Sequence, residues 1–214
     1  GMTALNVHPS LLPRYRGATP IQSALRDGCK QTGATVFWMT QRMDAGDVAL
    51  VREAPIEPSD DYGLLHDRLA QLGAELLEQA AALLSEGRLP RTPQREEDAT
   101  YCKPLTKDDL RLQFDVPARR VVDQIRSLSP KPGAWMLFEG KRLKVLKAEV
   151  ADKPADTAAA SFSTPAAAGS VIANNSSGPI IATAQGTIRL LRVIPEGKPE
   201  MSGAEFAQRT ATRR

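Results

Sequence analysis

Three side chains stand out for the chemistry they could do: the amide of Asn6, the imidazole of His8 and the carboxylate of Asp44. Asn6 and His8 occupy alternate positions around a short apolar run, residues 4–7, that reads as the end of a buried strand. Alternation turns both side chains to the same side of that strand end. Asp44 lies 36 residues beyond His8, in the run Thr40-Gln-Arg-Met-Asp-Ala-Gly-Asp47. An amide N–H can donate to a carbonyl oxygen. An imidazolium can donate with charge assistance, and a carboxylate can orient the ring or accept a proton. Such a set, gathered at strand ends, suits acyl chemistry. Each residue also has a plain reading, Asn6 as a turn former and His8 as a satisfied core or surface group. Asp47 reads as a cap or turn residue, second to Asp44. His66 falls between leucines of a helical pattern and reads as a packing or surface residue.

The elements that must position these groups follow from the pattern. After Val7 the chain breaks at Pro9 and Pro13, and Gly17 closes a loop. Residues 18–28 read as a helix with Thr19-Pro20 as cap and first turn and Gly28 as stop. Residues 34–40 and 48–54 read as strands, the second approached through Asp44-Ala-Gly46. Ser59-Asp-Asp61 caps a long helix, whose leucines 64, 65, 69, 72, 76, 77, 83 and 84 make an apolar stripe, and Gly87 ends it. Residues 89–104, with Pro90, Pro93 and Arg95-Glu-Glu-Asp98, read as an exposed linker.

A second module follows, at 105–214. Asp115 is the expected cap of a helix over 117–128, and residues 134–138 and 142–148 form a hairpin around Glu139-Gly140. Residues 151–168 are rich in Ala, Ser, Thr and Pro and read as a mobile loop. Strands are expected at 170–173, 180–184 and 187–193, and Ser202 caps a last helix over 203–209. Short strands separated by glycine turns suit a small β-barrel.

Composition narrows the class. A hydrophobic content of 42% with 25% charged residues is that of an ordinary globular protein, and a net charge of +3 excludes a bulk polyanion binder while allowing a local basic face. No apolar run approaches a membrane span, and no signal peptide is visible, so no membrane partner is expected. Cys29 and Cys102 lie far apart without metal-like spacing, which points to a reduced, cytoplasmic setting and to no metal.

The pattern Asn-x-His-x-Ser-Leu-Leu-Pro-x-x-x-Gly, followed by Thr32-Gly-Ala-Thr-Val36 and Met43-Asp-Ala-Gly-Asp47, resembles the formyl-tetrahydrofolate-dependent formyltransferases. Arg14-Tyr-Arg-Gly-Ala-Thr-Pro-Ile-Gln22 and a second module beginning near Ala99-Thr-Tyr-Cys-Lys-Pro-Leu105 bring it nearest to the branch that formylates methionyl-initiator-tRNA in translation initiation. The resemblance implies an α/β fold: part of a doubly wound formyltransferase domain over 1–88, a linker over 89–104, and an OB-like, tRNA-binding barrel over 105–214. It implies formyl-tetrahydrofolate as donor and methionyl-initiator-tRNA as acceptor. It implies Asn6, His8 and Asp44 as the catalytic set. Ser10, Leu11, Leu12, Pro13, Arg14, Arg16 and Gly17 would line the substrate site, with Arg14 and Arg16 near phosphates. Asp44 either supports a charged His8 or takes the proton of the attacking amine. A formyltransferase acting on a nucleotide-sugar amine and a fragment that only binds RNA are the competing readings. The likeness starts abruptly at Leu5, and Gly1-Met2 reads as an engineered start. The expectation is therefore the C-terminal part of a longer enzyme, nearly inert alone, with the flank of the first strand left uncovered.

Overall fold

The computed structural model describes residues 4–151 and 166–211, in two units, Gly1–Leu105 and Thr106–Arg214. Most of the Ala/Ser/Thr/Pro-rich stretch, residues 152–165, lies outside the described residues.

The first unit begins with β1 (Leu5–His8) and β2 (Arg16–Gly17), followed by α1 (Pro20–Arg26), β3 (Gln31–Trp38), β4 (Val48–Pro55), α2 (Tyr62–Ser85) and β5 (Tyr101–Cys102). β1, β3 and β4 form an antiparallel sheet in that order, with His8 opposite Thr35 and Asn6 opposite Phe37. β3 is central and buried along both faces, as its apolar, β-branched composition requires. One face carries Ala34, Val36 and Trp38, which pack with Leu5, Val7, Leu76 and Ala80. The other face carries Asn6, His8 and Thr35. Among the described residues β1 pairs with β3 alone, and Val7, Pro9, Ile21, Leu69, Gly73 and Leu77 help line an apolar groove of about 340 Å³ beside it.

α1 starts at Pro20, whose fixed φ suits the first turn, but Thr19 does not cap it: its hydroxyl donates to the Lys103 carbonyl at 2.8 Å. Gly28 ends it at a φ of +72°, letting the Cys29 N–H reach back to the Ala24 carbonyl at 3.0 Å. α2 is capped by Asp61, whose carboxylate accepts from the Leu64 N–H at 3.0 Å. Its buried line is Leu65, Leu69, Gly73, Leu76 and Ala80. This is narrower than the expected stripe, because Leu64, Leu77 and Leu84 face solvent. Gly73 sits where the helix crosses β1; a Cβ there would come within 2.8 Å of Val7 Cγ1.

The second unit holds α3 (Ala118–Leu128), β6 (Ala134–Phe138), β7 (Lys141–Ala151), β8 (Val171–Asn175), β9 (Gly178–Ala182), β10 (Thr187–Pro195), β11 (Met201–Ser202) and α4 (Gly203–Ala211). The strands form one antiparallel sheet in the order β6-β7-β10-β9-β8, with β11 beside β10. No pairing between β6 and β8 closes it into a barrel among the described residues. The hairpin turn falls on Glu139 and Gly140, both at positive φ, which matches the strand twist. Asp115 does not cap α3. The helix starts after Pro117, and its first N–H, from Ala118, donates to the Gln185 carbonyl at 2.9 Å. Ser202 does cap α4, accepting from the Glu205 N–H at 3.1 Å.

The Asp61 cap is a single removable contact at the start of the helix that backs the site-bearing sheet. Asp61→Ala should lower unfolding free energy by about 1 kcal/mol without changing the denaturant m-value, as read by urea titration.

Candidate functional site

His8 is 5% exposed, and each ring nitrogen has a protein neighbour. Nε2 lies 2.8 Å from the Tyr15 carbonyl oxygen, which can only accept, so Nε2 carries a proton and donates. Nδ1 faces the Asp44 carboxylate, 3.7 Å from Oδ2. The same Oδ2 accepts the Gly17 N–H at 2.8 Å. Asp44 thus serves the ring and the backbone of the loop together. Asn6 is exposed, and its Oδ1 accepts the Val7 N–H at 2.8 Å. That bond turns the amide so that its NH₂ remains available as a donor.

The loop between β1 and β2 is tied from within. Thr35, wholly buried on β3, donates to the Ser10 carbonyl at 2.7 Å and accepts from the Leu12 N–H at 3.2 Å. Ser10 Oγ donates to the Arg14 carbonyl at 2.6 Å, and Leu11 packs towards Gly33, where a Cβ would meet Leu11 Cδ2 at 2.5 Å. Leu12 is buried and Pro13 half-buried, with the Pro13 carbonyl accepting from the Thr100 N–H at 3.2 Å. Tyr15 holds a positive φ of 59°, fixed by its N–H donating to Thr100 Oγ1 at 2.8 Å. Its hydroxyl donates to Asp27 at 2.8 Å and lies 3.2 Å from Cys29 Sγ. Burial first, then these two neighbours, push the phenol well above its ordinary range. Gly17, at a φ of +116°, lies so close to β5 that a Cβ would meet the Cys102 carbonyl oxygen at 2.3 Å.

The structure therefore brings His8, Asp44 and Gly17 together, keeps Asn6 two residues before His8 on β1, and gives Ser10, Leu11, Leu12 and Pro13 to the packing of the loop. Arg14 is exposed, its guanidinium carbon 5.5 Å from the centroid of the Tyr15 ring. Arg16 is not: it is completely buried, and all five N–H donors are taken. Nε and Nη2 donate to Gln94 Oε1 at 3.1 and 2.8 Å, Nη1 and Nη2 to the Glu96 carboxylate at 3.2 and 3.0 Å, and Nη1 to the Tyr101 hydroxyl at 3.1 Å. The expected phosphate role of Arg16 gives way to this internal one, because its fork is filled by the stretch 94–101. Burial works against the guanidinium charge, but the bonds to Glu96 and Tyr101 outweigh it and hold its pKa above the usual value. The same bond from Arg16, aided by Arg42, holds the Glu96 carboxyl below its usual value. Thr35, Gln94, Glu96 and Thr100 were not singled out in the sequence, and their partners are distant in the chain.

A family profile described as "Formyl transferase" matches residues 1–81, and one described as "Formyl transferase, C-terminal domain" matches residues 104–211. The chain is 39% identical over 204 residues to a methionyl-tRNA formyltransferase of Moorella thermoacetica, covering 95% of this chain and 63% of that protein. It is 39% identical over 202 residues to the methionyl-tRNA formyltransferase of Carboxydothermus hydrogenoformans, covering 94% and 63% respectively. The chain thus spans a little under two thirds of the length of these relatives. HypX from Aquifex aeolicus, solved in complex with tetrahydrofolic acid, shares the fold with a TM-score of 0.69 at 18% identity, over 95% of this chain and 34% of that one.

Two outcomes follow from the ties described. Thr35→Val keeps the shape but strands the buried Ser10 carbonyl and Leu12 N–H, and should cost about 1–3 kcal/mol of stability by chemical denaturation. Because the folded Glu96 pKa lies below the ordinary 4.5, the stabilisation it gives is fully present above that value and is lost as pH falls through the folded value. Melting temperature should therefore drop on acidification below about pH 4.5, and the drop should be shallower in Glu96→Gln, followed by circular dichroism across pH 3–7.

Proposed function

The chain belongs to the formyl transferase family, and we propose that it carries the catalytic residues of a methionyl-tRNA formyltransferase, moving a formyl group from formyl-tetrahydrofolate to the amine of methionyl-initiator-tRNA in the cytoplasm. One observation carries this reading. His8 lies between a carbonyl and a carboxylate on the strand face that also bears an amide with free donors, Asn6.

In the reaction the amine adds to the formyl carbon, charge builds on the formyl oxygen, and the oxygen must be met by donors already in place. Asn6 supplies such a donor from the exposed end of β1. His8 supplies a second N–H donor behind it, with the Asp44 carboxylate 3.7 Å from its other ring nitrogen. The formyl oxygen and the Tyr15 carbonyl compete for Nε2–H. Collapse of the adduct breaks the bond from the formyl carbon to the folate nitrogen, which leaves with the electron pair and takes up a proton, while the proton lost by the attacking amine passes through Asp44 or water, so the net proton count is unchanged. Arg14, the exposed cation of the loop, lies where a phosphate of the acceptor could be held. The second unit, matched to the family's C-terminal domain, is assigned to tRNA binding.

The test uses this chain as purified, and a chimera in which it replaces the matching portion of the Moorella thermoacetica relative. Formylation of methionyl-tRNA, with a nucleotide-sugar amine as the alternative acceptor, is followed from labelled formyl-tetrahydrofolate. His8→Ala should lower turnover in the active protein by two or more decades, and Asp44→Asn by at least one, with the fold retained. Turnover in the His8→Ala chimera near that of the parent would remove His8 from the mechanism. Preference for the sugar amine would overturn the choice of acceptor.

A further inference from the structure

Gln94 lies in the stretch that the sequence reads as a linker, yet every hydrogen-bonding position on its amide is used. Oε1 accepts twice from Arg16, at 3.1 and 2.8 Å. Nε2 donates to the Asp44 carbonyl at 2.8 Å and to the Gly46 carbonyl at 2.7 Å. The orientation of the amide follows from its partners, since Arg16 only donates and the two carbonyls only accept. Gly46 is itself fixed, because a Cβ there would lie 1.6 Å from the Trp38 carbonyl oxygen. Asp44 holds a left-handed φ of 50°, a conformation that a non-glycine residue keeps only when its surroundings impose it.

We propose that Gln94 is a positioning residue: it sets the backbone of Asp44 so that the carboxylate stays between His8 and the Gly17 N–H. The proposal rests on reading His8 and Asp44 as the working pair. The pair is held at both ends of Asp44. The Gly17 N–H, next to Arg16 in the chain, fixes the carboxylate at 2.8 Å, and Gln94, bound to the Arg16 side chain, fixes the carbonyl. One buried guanidinium thereby ties the His8 loop and the Asp44 loop to a common reference. Without the Gln94 donors, the left-handed turn at Asp44 has nothing to hold its carbonyl, and the carboxylate leaves the ring.

Gln94→Glu is the sharp variant. It keeps an acceptor for Arg16 but turns a carboxylate oxygen towards the Asp44 and Gly46 carbonyls, where a donor stood. Gln94→Met, of similar length, removes both sets of bonds. Asp44→Gly, tolerant of the positive φ, supplies the reference for loss of the carboxylate. The readout is the amide resonance and hydrogen exchange of Gly17, with the ring resonances of His8, in the ¹⁵N-labelled 214-residue chain. His66, the other of the two histidines, serves as internal control. In Gln94→Glu the Gly17 amide should exchange at least tenfold faster and move towards its Asp44→Gly position. The His8 ring signals should shift with it, those of His66 should stay, and the double variant should look like Asp44→Gly alone. A wild-type Gly17 amide and His8 ring in Gln94→Glu would overturn the proposal. If Gln94→Glu does not fold, Gln94→Met is read in the same way. Unfolding of both would assign Gln94 to the fold and overturn the proposal as well. None of these signals depends on turnover: an inactive parent chimera would defeat the formyl-transfer reading and leave this result standing.

Discussion

A guanidinium removed from water must find a partner for each of its N–H groups, because desolvation of an ion costs several kcal/mol and only good geometry offsets it. Arg16 meets that condition with three side chains, Gln94, Glu96 and Tyr101, all from one later stretch. Satisfying it draws the stretch onto the loop between β1 and α1. β2 and β5 pair over two residues only, Arg16 with Tyr101 and Gly17 with Cys102, too short a ladder to hold alone. The side chain of Arg16 fills the gap beside that ladder, and the Thr19 hydroxyl extends the attachment to Lys103.

From this anchor the constraint passes to the site through the backbone. Tyr15, one residue before Arg16, offers its carbonyl to His8, and Gly17, one residue after, offers its N–H to Asp44. Three consecutive residues therefore fix the ring, the charge and the carboxylate. The left-handed turns at Tyr15 and Asp44 each cost roughly 1–2 kcal/mol. They persist because Thr100 holds the first and Gln94 the second. Thr35 adds a vertical tie from the central strand to the loop, so the site rests on β3, the most buried strand of the sheet.

What was legible in the sequence was whatever has a short period or a fixed spacing. Alternation on an apolar strand put Asn6 and His8 on one side, only the resemblance to the family set Asp44 beside them, and turn residues marked the hairpin at Glu139-Gly140. α2 was visible from its three- and four-residue steps. Its eight leucines, however, cover more than one face, and only packing against α1 and β4 for Leu65 and Leu69, and against β3 for Leu76, decides that these are the inner ones. Arg16 was misread for a physical reason. A cation in a loop beside a candidate site has the same local signature whether it meets a phosphate or a carboxylate 80 residues on. Thr35 was invisible because threonine is common in strands for its shape alone. The stretch 89–104 has a linker's composition and its exposed charges, but composition does not report hydrogen bonds made by Gln94 and Thr100. Asp115 failed as a cap because the Gln185 carbonyl, far along the chain, already takes the first N–H of α3.

In the formyl transfer we propose, the same geometry divides the labour between Asn6 and His8. A donor aimed at developing charge is most effective when it does not have to reorganise as the charge appears. His8 is fixed at both nitrogens and almost without solvent, so in the reading proposed it can donate to the formyl oxygen only by giving up the Tyr15 carbonyl. Its fixity comes from Tyr15 and Asp44, and so from Arg16 and the residues around it. Asn6 is placed differently. It stands in the open on an edge strand, and its carbonyl oxygen is spent on the Val7 N–H that would otherwise go unpaired at that edge. One bond therefore satisfies an exposed backbone donor and orients the amide so that its NH₂ points away from the strand.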